Sequence, residues 1–350
     1  MSVSSRTSQL SGDRAAGWLD DAITAGIAFL RRSAESEATR LWRDFALPGV
    51  SAGSTECASA FIAAQIGVIP EGRSLAASVV ETVASRPRET GGWGYREDVP
   101  EDCDSTAWVL LAAAAAGVDL PRPLIQRSAR FIAKHQHVNG GFVTYGPAAK
   151  DSLTPADQAG WFEPDVSVTA SAVLALAATG EVATECLRRA CRYLSRSCRD
   201  GLWGSYWWNG FGYATYLSLL ALSKERRVLY ETQLAATQQA ILLRRSPGGG
   251  WANERGLAAN GFSTSFALRA LLLADRPPAR QEGVAEAISY LGGLVTAAGA
   301  APPSAEMLAP GGVNGFDVVL RDNGNVTTAC VIRALHQVRN RVRRTRAASA

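Results

Sequence analysis

The chain has 350 residues, of which 47% are hydrophobic and 19% are charged, so it can bury a large core in one domain or two. Its formal net charge of +4 is small for this length, and much of the arginine excess lies in the last segment, RNRVRRTRAASA, which argues against a nucleic-acid partner. No apolar run approaches the ~18 to 20 residues of a transmembrane span, and the first residues lack the charged-then-apolar order of a secretion signal, so we expect a cytoplasmic protein.

Six amphipathic segments follow one another along the chain and predict outer helices, with apolar residues at helical spacing and arginines on the other face. Their ends share a pattern, as in GIAFL, SARFI, ACRYL, QAILL and AISYL. We place these helices near residues 15–32, 72–85, 121–136, 182–198, 229–244 and 281–294.

A second set of segments alternates with the first and repeats an apolar pattern. The stretch DSTAWVLLAAAAAG has echoes that start at Ser167, Tyr213, Phe262 and Val326, and a weaker copy starts at Ser54. Each copy begins with a hydroxyl residue suited to capping a helix and continues with Ala, Leu and Val. Helices with so little polar surface must be buried nearly all round.

Six hairpins of an outer and an inner helix predict an all-α fold, an (α/α)6 barrel of six inner and six outer helices. An open stack would expose two apolar flanks, whereas a closed ring buries every inner helix. We expect one barrel domain over residues 1–340 and a disordered basic tail over residues 341–350.

Cysteine and histidine positions argue against a metal site. The six cysteines lie at helical, mostly apolar positions without a CxxC pair, and the three histidines lack the spacing of zinc ligands. We therefore expect reduced core thiols, no metal and no cofactor.

Glycine-rich segments follow the outer helices, as in GGWGY, NGGFVTY, DGLWGSYWW and PGGGWA. Glycine there ends the helix and permits the positive φ that the turn requires, while the next aromatic residue packs back as a plug. If all outer helices run the same way, these loops gather at the rim where the inner helices begin. Glu101, Asp102 and Asp104 then lie at the mouth of a central cavity.

Two features resemble the squalene-hopene cyclase branch of the terpenoid cyclase and prenyltransferase superfamily. FIAKHQHVNGGF, from Phe131, and YLSRSCRDGLW, from Tyr193, resemble its QW repeat, with Phe142 in place of tryptophan and Cys198 in place of glutamine. DCDSTA resembles the DxDDTA motif of class II cyclases, whose middle aspartate protonates an alkene or epoxide. The resemblance implies that Asp104 is this catalytic acid.

The same resemblance implies that Asp102 is the first partner of the acid, whereas Ser105 stands where the family has a third acidic residue. Protonating a carbon–carbon double bond requires a strong acid held neutral and away from water. Burial raises the pKa of a carboxyl group, and a nearby carboxylate makes double ionisation costly. Asp102 and Asp104 are thus our candidate catalytic residues.

Aromatic faces in a dry pocket stabilise a carbocation through cation–π attraction. Alignment of PDVSVTA with EDCDSTA also places a second acid opposite Asp102 in the next repeat. Our candidate substrate-binding residues are Trp108, Tyr145, Trp161, Asp165, Tyr206, Trp207, Trp208, Tyr213, Trp251 and Phe262.

Several alternatives stay open. Asp104 would serve equally as a helix cap, and many of the aromatic residues would serve as structural plugs. We expect a class II terpene cyclase-like enzyme that acts on a small apolar isoprenoid, with peripheral membrane contact as an option. A prenyltransferase-like protein, a non-catalytic barrel for an apolar ligand and a carboxylate-pair enzyme acting on a carbohydrate are the other hypotheses.

Overall fold

The computed structural model describes residues 12–46, 53–149, 159–225, 227–254, 257–274, 281–313 and 316–349. This part of the chain contains twelve α-helices, which alternate between an outer and an inner position. The outer helices are α1 (Gly12–Glu35), α3 (Arg73–Ala84), α5 (Arg122–Lys134), α7 (Thr184–Ser197), α9 (Arg227–Leu243) and α11 (Gln281–Leu294). The inner helices are α2 (Glu56–Ile66), α4 (Cys103–Ala116), α6 (Val166–Thr179), α8 (Gly212–Glu225), α10 (Gly261–Leu271) and α12 (Asn325–Ser349).

The inner helices form a closed ring. Each contacts the next in the series α2, α4, α6, α8, α10 and α12, and α12 contacts α2 in turn. Outer helices pack against the inner helices that flank them. The predicted (α/α)6 barrel is confirmed, because an apolar helix such as α4 or α6 is covered on all sides only inside a closed ring.

Three antiparallel strand pairs lie at the rim of the barrel, where the inner helices begin. Strands β1 (Trp93–Gly94) and β2 (Glu101–Asp102) pair just before α4, and β3 (Phe142–Val143) and β4 (Pro164–Asp165) pair just before α6. The third pair, β5 (Glu306–Val313) and β6 (Phe316–Arg321), precedes α12. The sequence patterns did not predict this longer hairpin.

A residue with positive φ recurs in each turn from an outer to an inner helix. Gly91 has a φ of +85° and lies two residues before Trp93, at a place where an added Cβ would meet Arg127 at 2.7 Å. Glycine is therefore required there for its backbone and for its size. The equivalent residues of the other turns also have positive φ and are Arg40, Gly140, Gly201, Gly249 and Gly299.

In three of the six hairpins, the plug that follows the turn donates one hydrogen bond to the outer helix and one to the inner helix. Trp203 donates its indole N–H to the carbonyl oxygen of Leu194 on the outer helix, at 2.7 Å. Its backbone N–H donates to Oγ1 of Thr215 on the inner helix, at 3.0 Å. Trp93 and Trp251 repeat both bonds, whereas Phe142 keeps the backbone bond alone.

The repeated hydroxyl of the inner helices thus has a different role from the expected cap. It accepts the plug's backbone N–H, and a carboxylate or amide farther upstream caps the helix. The side chains of Asp102, Asp165 and Asn260 cap α4, α6 and α10. A hydroxyl group in the first helical turn cannot hydrogen-bond the free backbone N–H groups of the helix N-terminus and the plug at the same time.

The division of the chain into one domain and a tail stays a prediction. Helix α12 continues to Ser349, and Arg343 on it pairs with Asp20 of α1 at 3.2 Å. Among the described helices, none combines the length and the apolar character needed to cross a lipid bilayer.

Candidate active site

The repeats set a common register on the inner helices, measured from the hydroxyl residue that hydrogen-bonds the backbone of the plug: Ser59, Thr106, Thr169, Thr215, Thr264 and Thr328. On each inner helix, the residue two positions before this hydroxyl residue and the residue five positions after it differ by seven in sequence. Both therefore lie on the same face of the helix, separated by about two turns. The layer two residues before it, named the first layer, consists of Cys57, Asp104, Ser167, Tyr213, Phe262 and Val326. The layer two residues after it, named the second layer, consists of Phe61, Trp108, Ser171, Leu217, Phe266 and Cys330.

Asp104 occupies the first layer on the face of α4 that looks into the ring. Ser171 of the neighbouring helix α6 donates a 2.5 Å hydrogen bond to Oδ1 of Asp104. Oδ2 of Asp104 accepts no hydrogen bond from any described residue. Since Oδ1 is already an acceptor, Oδ2 is the oxygen placed to carry a proton.

Burial raises the pKa of Asp104 to about 7, because removal of water disfavours the charged carboxylate. The negative charge of Asp165 adds to this rise, while the Ser171 hydroxyl and the Trp108 indole oppose it. The side chain nevertheless keeps part of its surface accessible. A desolvated group with accessible surface indicates that this surface faces an enclosed space.

Asp102 has a different environment although it lies two residues away. Oδ1 accepts from the backbone N–H of Ser105 at 2.7 Å, and Oδ2 accepts from the Ser105 hydroxyl at 2.6 Å. Burial again raises the pKa to about 7, and these two hydrogen bonds oppose the rise. Both oxygens of Asp102 are engaged by Ser105 at a helix N-terminus, whereas Oδ2 of Asp104 is not engaged by a described residue, so the hydrogen-bond geometry favours Asp104 as the group that presents a proton to the ring.

Asp102, and not Asp104, is therefore the N-cap of α4. The serine that replaces the third acid of the motif also gains a role from this geometry, since its hydroxyl holds Asp102 in place. Of the two expected uses for Asp104, capping is excluded.

Five aromatic side chains pack together next to Asp104. The ring centroids of Phe61 and Trp108 are 4.7 Å apart, and Trp208 lies 4.7 Å from Tyr213 and 5.2 Å from Phe262. All five are buried, and four of them belong to the first two layers while Trp208 comes from the rim loop. Among the described residues, the buried Trp108 indole N–H and Tyr213 hydroxyl have no hydrogen-bond partner.

A second aromatic group lies on the rim. Trp161 stacks at 5.6 Å from Tyr145 and 5.4 Å from Trp207, and Tyr206 meets Trp207 edge-on at 5.3 Å. The indole N–H of Trp207 donates to Oγ1 of Thr144 at 2.7 Å. The backbone N–H of Leu308 donates to the carbonyl oxygen of Trp207 at 2.7 Å, and the backbone N–H of Asn209 donates to the carbonyl oxygen of Glu306 at 3.0 Å, so this loop is held against β5.

Two candidate residues, Asp165 and Trp251, have structural contacts and belong to neither aromatic group. Asp165 caps α6, and its oxygens accept hydrogen bonds from Ser167, Val168 and the backbone of Tyr206. Trp251 is fully buried as the plug between α9 and α10. Substrate contact by either residue stays a prediction, and the contacts that each makes are those of a structural element.

Sequence reasoning missed Cys57, Phe61 and Phe266, which share the first and second layers with Asp104 and Trp108. Their signal was present in the repeats, because aligning the six hydroxyl residues brings all of them into one register. The copy at Ser54 is weak as a pattern, and this hid Cys57 and Phe61.

Two open pockets on the surface have volumes of about 380 Å³ and 630 Å³. Trp208 lines the smaller and Glu101 the larger, but Asp104 lines neither. Within the described residues no group of three histidine, cysteine, aspartate or glutamate side chains has a metal-binding arrangement.

Comparison with known proteins gives one matching family profile and several solved structures with the same fold. The sequence profile of the squalene-hopene cyclase C-terminal domain matches residues 61–239. No curated protein gives a significant match.

Solved structures share the fold. The type II terpene cyclase MstE from Scytonema, in complex with its substrate geranylgeranyl dihydroxybenzoate, is 23% identical, with a TM-score of 0.82 over 93% of this chain and 99% of that one. A protein from Actinoplanes is 26% identical, with a TM-score of 0.78 over 91% and 99%. An unsaturated glucuronyl hydrolase specific for heparin is 11% identical, with a TM-score of 0.59 over 92% and 96%. The same barrel thus carries unrelated chemistries.

Proposed function

Because the chain belongs to the squalene-hopene cyclase C-terminal domain family, we propose that it is a class II terpene cyclase-like enzyme that cyclises or isomerises an isoprenoid by proton transfer from Asp104. One observation carries this proposal. Asp104 is the acidic residue of the first layer, it has a raised pKa, and its Oδ2 has no hydrogen-bond partner among the described residues, next to a group of aromatic rings.

The reaction begins at the terminal alkene of the bound chain. The π electrons form a C–H bond with the proton of Asp104, the O–H bond breaks, and a tertiary cation and the Asp104 carboxylate result. Further double bonds attack the cation in turn, or a single shift isomerises the chain. Loss of a proton to water or a basic group ends the sequence, and Asp104 is then reprotonated.

The surroundings of Asp104 suit each step. Ser171 holds the carboxyl group through Oδ1, which orients Oδ2 toward the substrate. The negative charge of Asp165 stabilises the proton on Asp104 through like-charge repulsion. The faces of Phe61, Trp108 and Tyr213 contribute ~0.5 to 2 kcal/mol each to a cation among them.

The test is to incubate wild type and the Asp104→Asn variant with a panel of polyprenyl substrates and to analyse the extracts by mass spectrometry. We expect the variant to lose at least about 100-fold in turnover, because asparagine has no acidic proton to transfer. Asp119→Asn is the matched control, since the same change falls on an exposed residue.

Wild-type turnover should also fall as pH rises through about 7, since only protonated Asp104 is the acid. Undiminished turnover by folded Asp104→Asn would refute the role of this residue.

A further inference from the structure

The third layer, five residues after the hydroxyl register, lies about 10 Å deeper in the ring than Asp104, since seven residues of helix rise ~10 Å. Its six members are Ala64, Leu111, Leu174, Leu220, Arg269 and Arg333. All except Arg269 keep part of their surface accessible, whereas their neighbours on the inner helices are mostly buried. This register therefore faces open space inside the ring.

Four members of the third layer are apolar, and the two arginines lie side by side on adjacent helices α10 and α12. Arg269 is only 5% exposed. Its guanidinium donates to Oε1 of Gln65 at 2.8 Å and to the hydroxyl of Tyr216 at 3.1 Å, and it lies 4.2 Å from the centroid of the Tyr216 ring. Its Nε–H is buried without a partner.

Arg333 has still fewer partners. No described residue accepts a hydrogen bond from it, and no described carboxylate forms a salt bridge with either arginine. Burial and the charge of Arg269 lower the pKa of Arg333 to about 10, which leaves it charged at neutral pH. One buried and one partly buried guanidinium group without a counter-charge among the described residues are costly in an empty protein.

We propose that Arg269 and Arg333 bind an anionic end group of the substrate, a carboxylate or a phosphate, while the far end of its apolar chain reaches Asp104. The guanidinium group suits both anions because its planar N–H groups match pairs of oxygen atoms. This inference rests on the proposed function, and it narrows the substrate class to acidic polyprenyl compounds.

The direction of binding follows from the two ends of the ring. In this arrangement the apolar chain runs between the first and third layers, past the buried side chains of Phe61, Trp108 and Phe266. The anion neutralises the arginines at one end, and the terminal alkene meets the acid at the other. The acidic side chains at the other end, including those of Asp102 and Asp165, disfavour a second anion there.

The experiment measures binding in the Asp104→Asn background, so that no ligand is converted. Three probes share one chain and differ in the end group: geranylgeranoic acid, geranylgeranyl diphosphate and geranylgeraniol. Isothermal titration should show at least about tenfold tighter binding of one or both anions than of the alcohol. Which anion binds more tightly distinguishes a carboxylate substrate from a diphosphate substrate.

Arg333→Gln, made in the same background, should bring the dissociation constants of the anions close to that of the alcohol. The dissociation constant of the alcohol itself should stay within about twofold of its value in the Asp104→Asn protein. Arg333→Lys should retain part of the preference, and Arg130→Gln on the exposed side of α5 should retain all of it. An alcohol that binds as tightly as both anions overturns the inference, as does failure of all three probes to bind. Because this readout is binding, equal affinities for the three probes would overturn the anion site and leave the turnover test of Asp104 standing.

Discussion

Two aspartates that are separated by one cysteine have opposite tasks at the mouth of the barrel. Asp102 is in an extended conformation and turns both oxygens back to Ser105, as a cap does. Asp104 is already in the first helical turn, so its side chain projects into the ring, where Ser171 meets it. The assignment of cap and acid is thus a consequence of where α4 begins.

The raised pKa of Asp104 makes a prediction about stability. The native state holds a proton on Asp104 up to about pH 7, whereas the unfolded chain releases it near pH 4, so stability is lost as pH rises between these values. Asp104→Asn removes this loss. Relative to wild type, the variant should therefore gain about 1–3 kcal/mol in free energy of unfolding between pH 5 and pH 8.

Urea denaturation at the two pH values measures this gain. The Asp119→Asn control should show none, since that side chain is exposed. An Asp104→Asn variant that keeps the same offset from wild type at both pH values would show that Asp104 is ionised throughout.

At the scale of the element, each outer–inner hairpin is closed by a plug residue. The positive-φ turn, the indole bond to the outer helix and the backbone bond to the inner helix form one unit that recurs around the ring. The third hairpin has Phe142, which cannot donate from its ring, and the sixth has Ala301, which keeps only the backbone bond. A plug residue occupies the junction in every hairpin, and in some hairpins an indole hydrogen bond to the outer helix adds to the stability of the junction.

Trp203→Phe tests the value of the indole bond. Phenylalanine fills most of the junction but leaves the carbonyl oxygen of Leu194 without its 2.7 Å partner, so we expect a loss of about 1–3 kcal/mol in free energy of unfolding. Trp18→Phe is the control, because the indole of this half-buried residue forms no hydrogen bond to the described residues. Equal losses in the two variants would assign the effect to ring volume.

At the scale of the molecule, the ring is completed by contacts between the two ends of the chain. Asp44, just before α2, accepts hydrogen bonds from Asn323 and Val326 at the start of α12. Arg339 of α12 is 2% exposed at its side chain and pairs with Asp20 at 2.7 Å and with Glu71 at 2.6 Å. These contacts join the last inner helix to the first hairpins.

Arg339→Gln should weaken this closure. Asp20 and Glu71 lose a buried cation that holds the pKa of Glu71 below its usual value, so the loss is largest above the pKa of an unfolded glutamate. Both acids are more than a third exposed, and water screens the pair, so we expect about 1–2 kcal/mol at pH 7.

Arg343→Gln provides the comparison for this variant, because Arg343 pairs with the same Asp20 from an exposed position. Thermal unfolding should show a change below about 0.5 kcal/mol for it. If both variants unfold at the same temperature, the ion pairs of Arg339 do not support the closure of the ring.

The fold was predictable because it depends on features that repeat within the chain. Alternation of amphipathic and apolar helices allows few closed arrangements, and the position of DCDSTA at the start of an inner helix follows from that alternation. The β5–β6 hairpin lies outside the repeat and therefore gave no signal.

The sequence by itself determined the barrel, the rim and the acidic motif, because periodicity and helix starts are local properties. Tertiary structure decided which aspartate faces the ring, since Ser171, which orients Asp104, is 67 residues away along the chain. It also decided that Arg269 and Arg333 lie side by side, because adjacent helices of a closed ring bring together residues that no local pattern relates. The position of a residue within the repeat determines the helix face on which it lies. Only the closure of the ring determines which residues that face contacts.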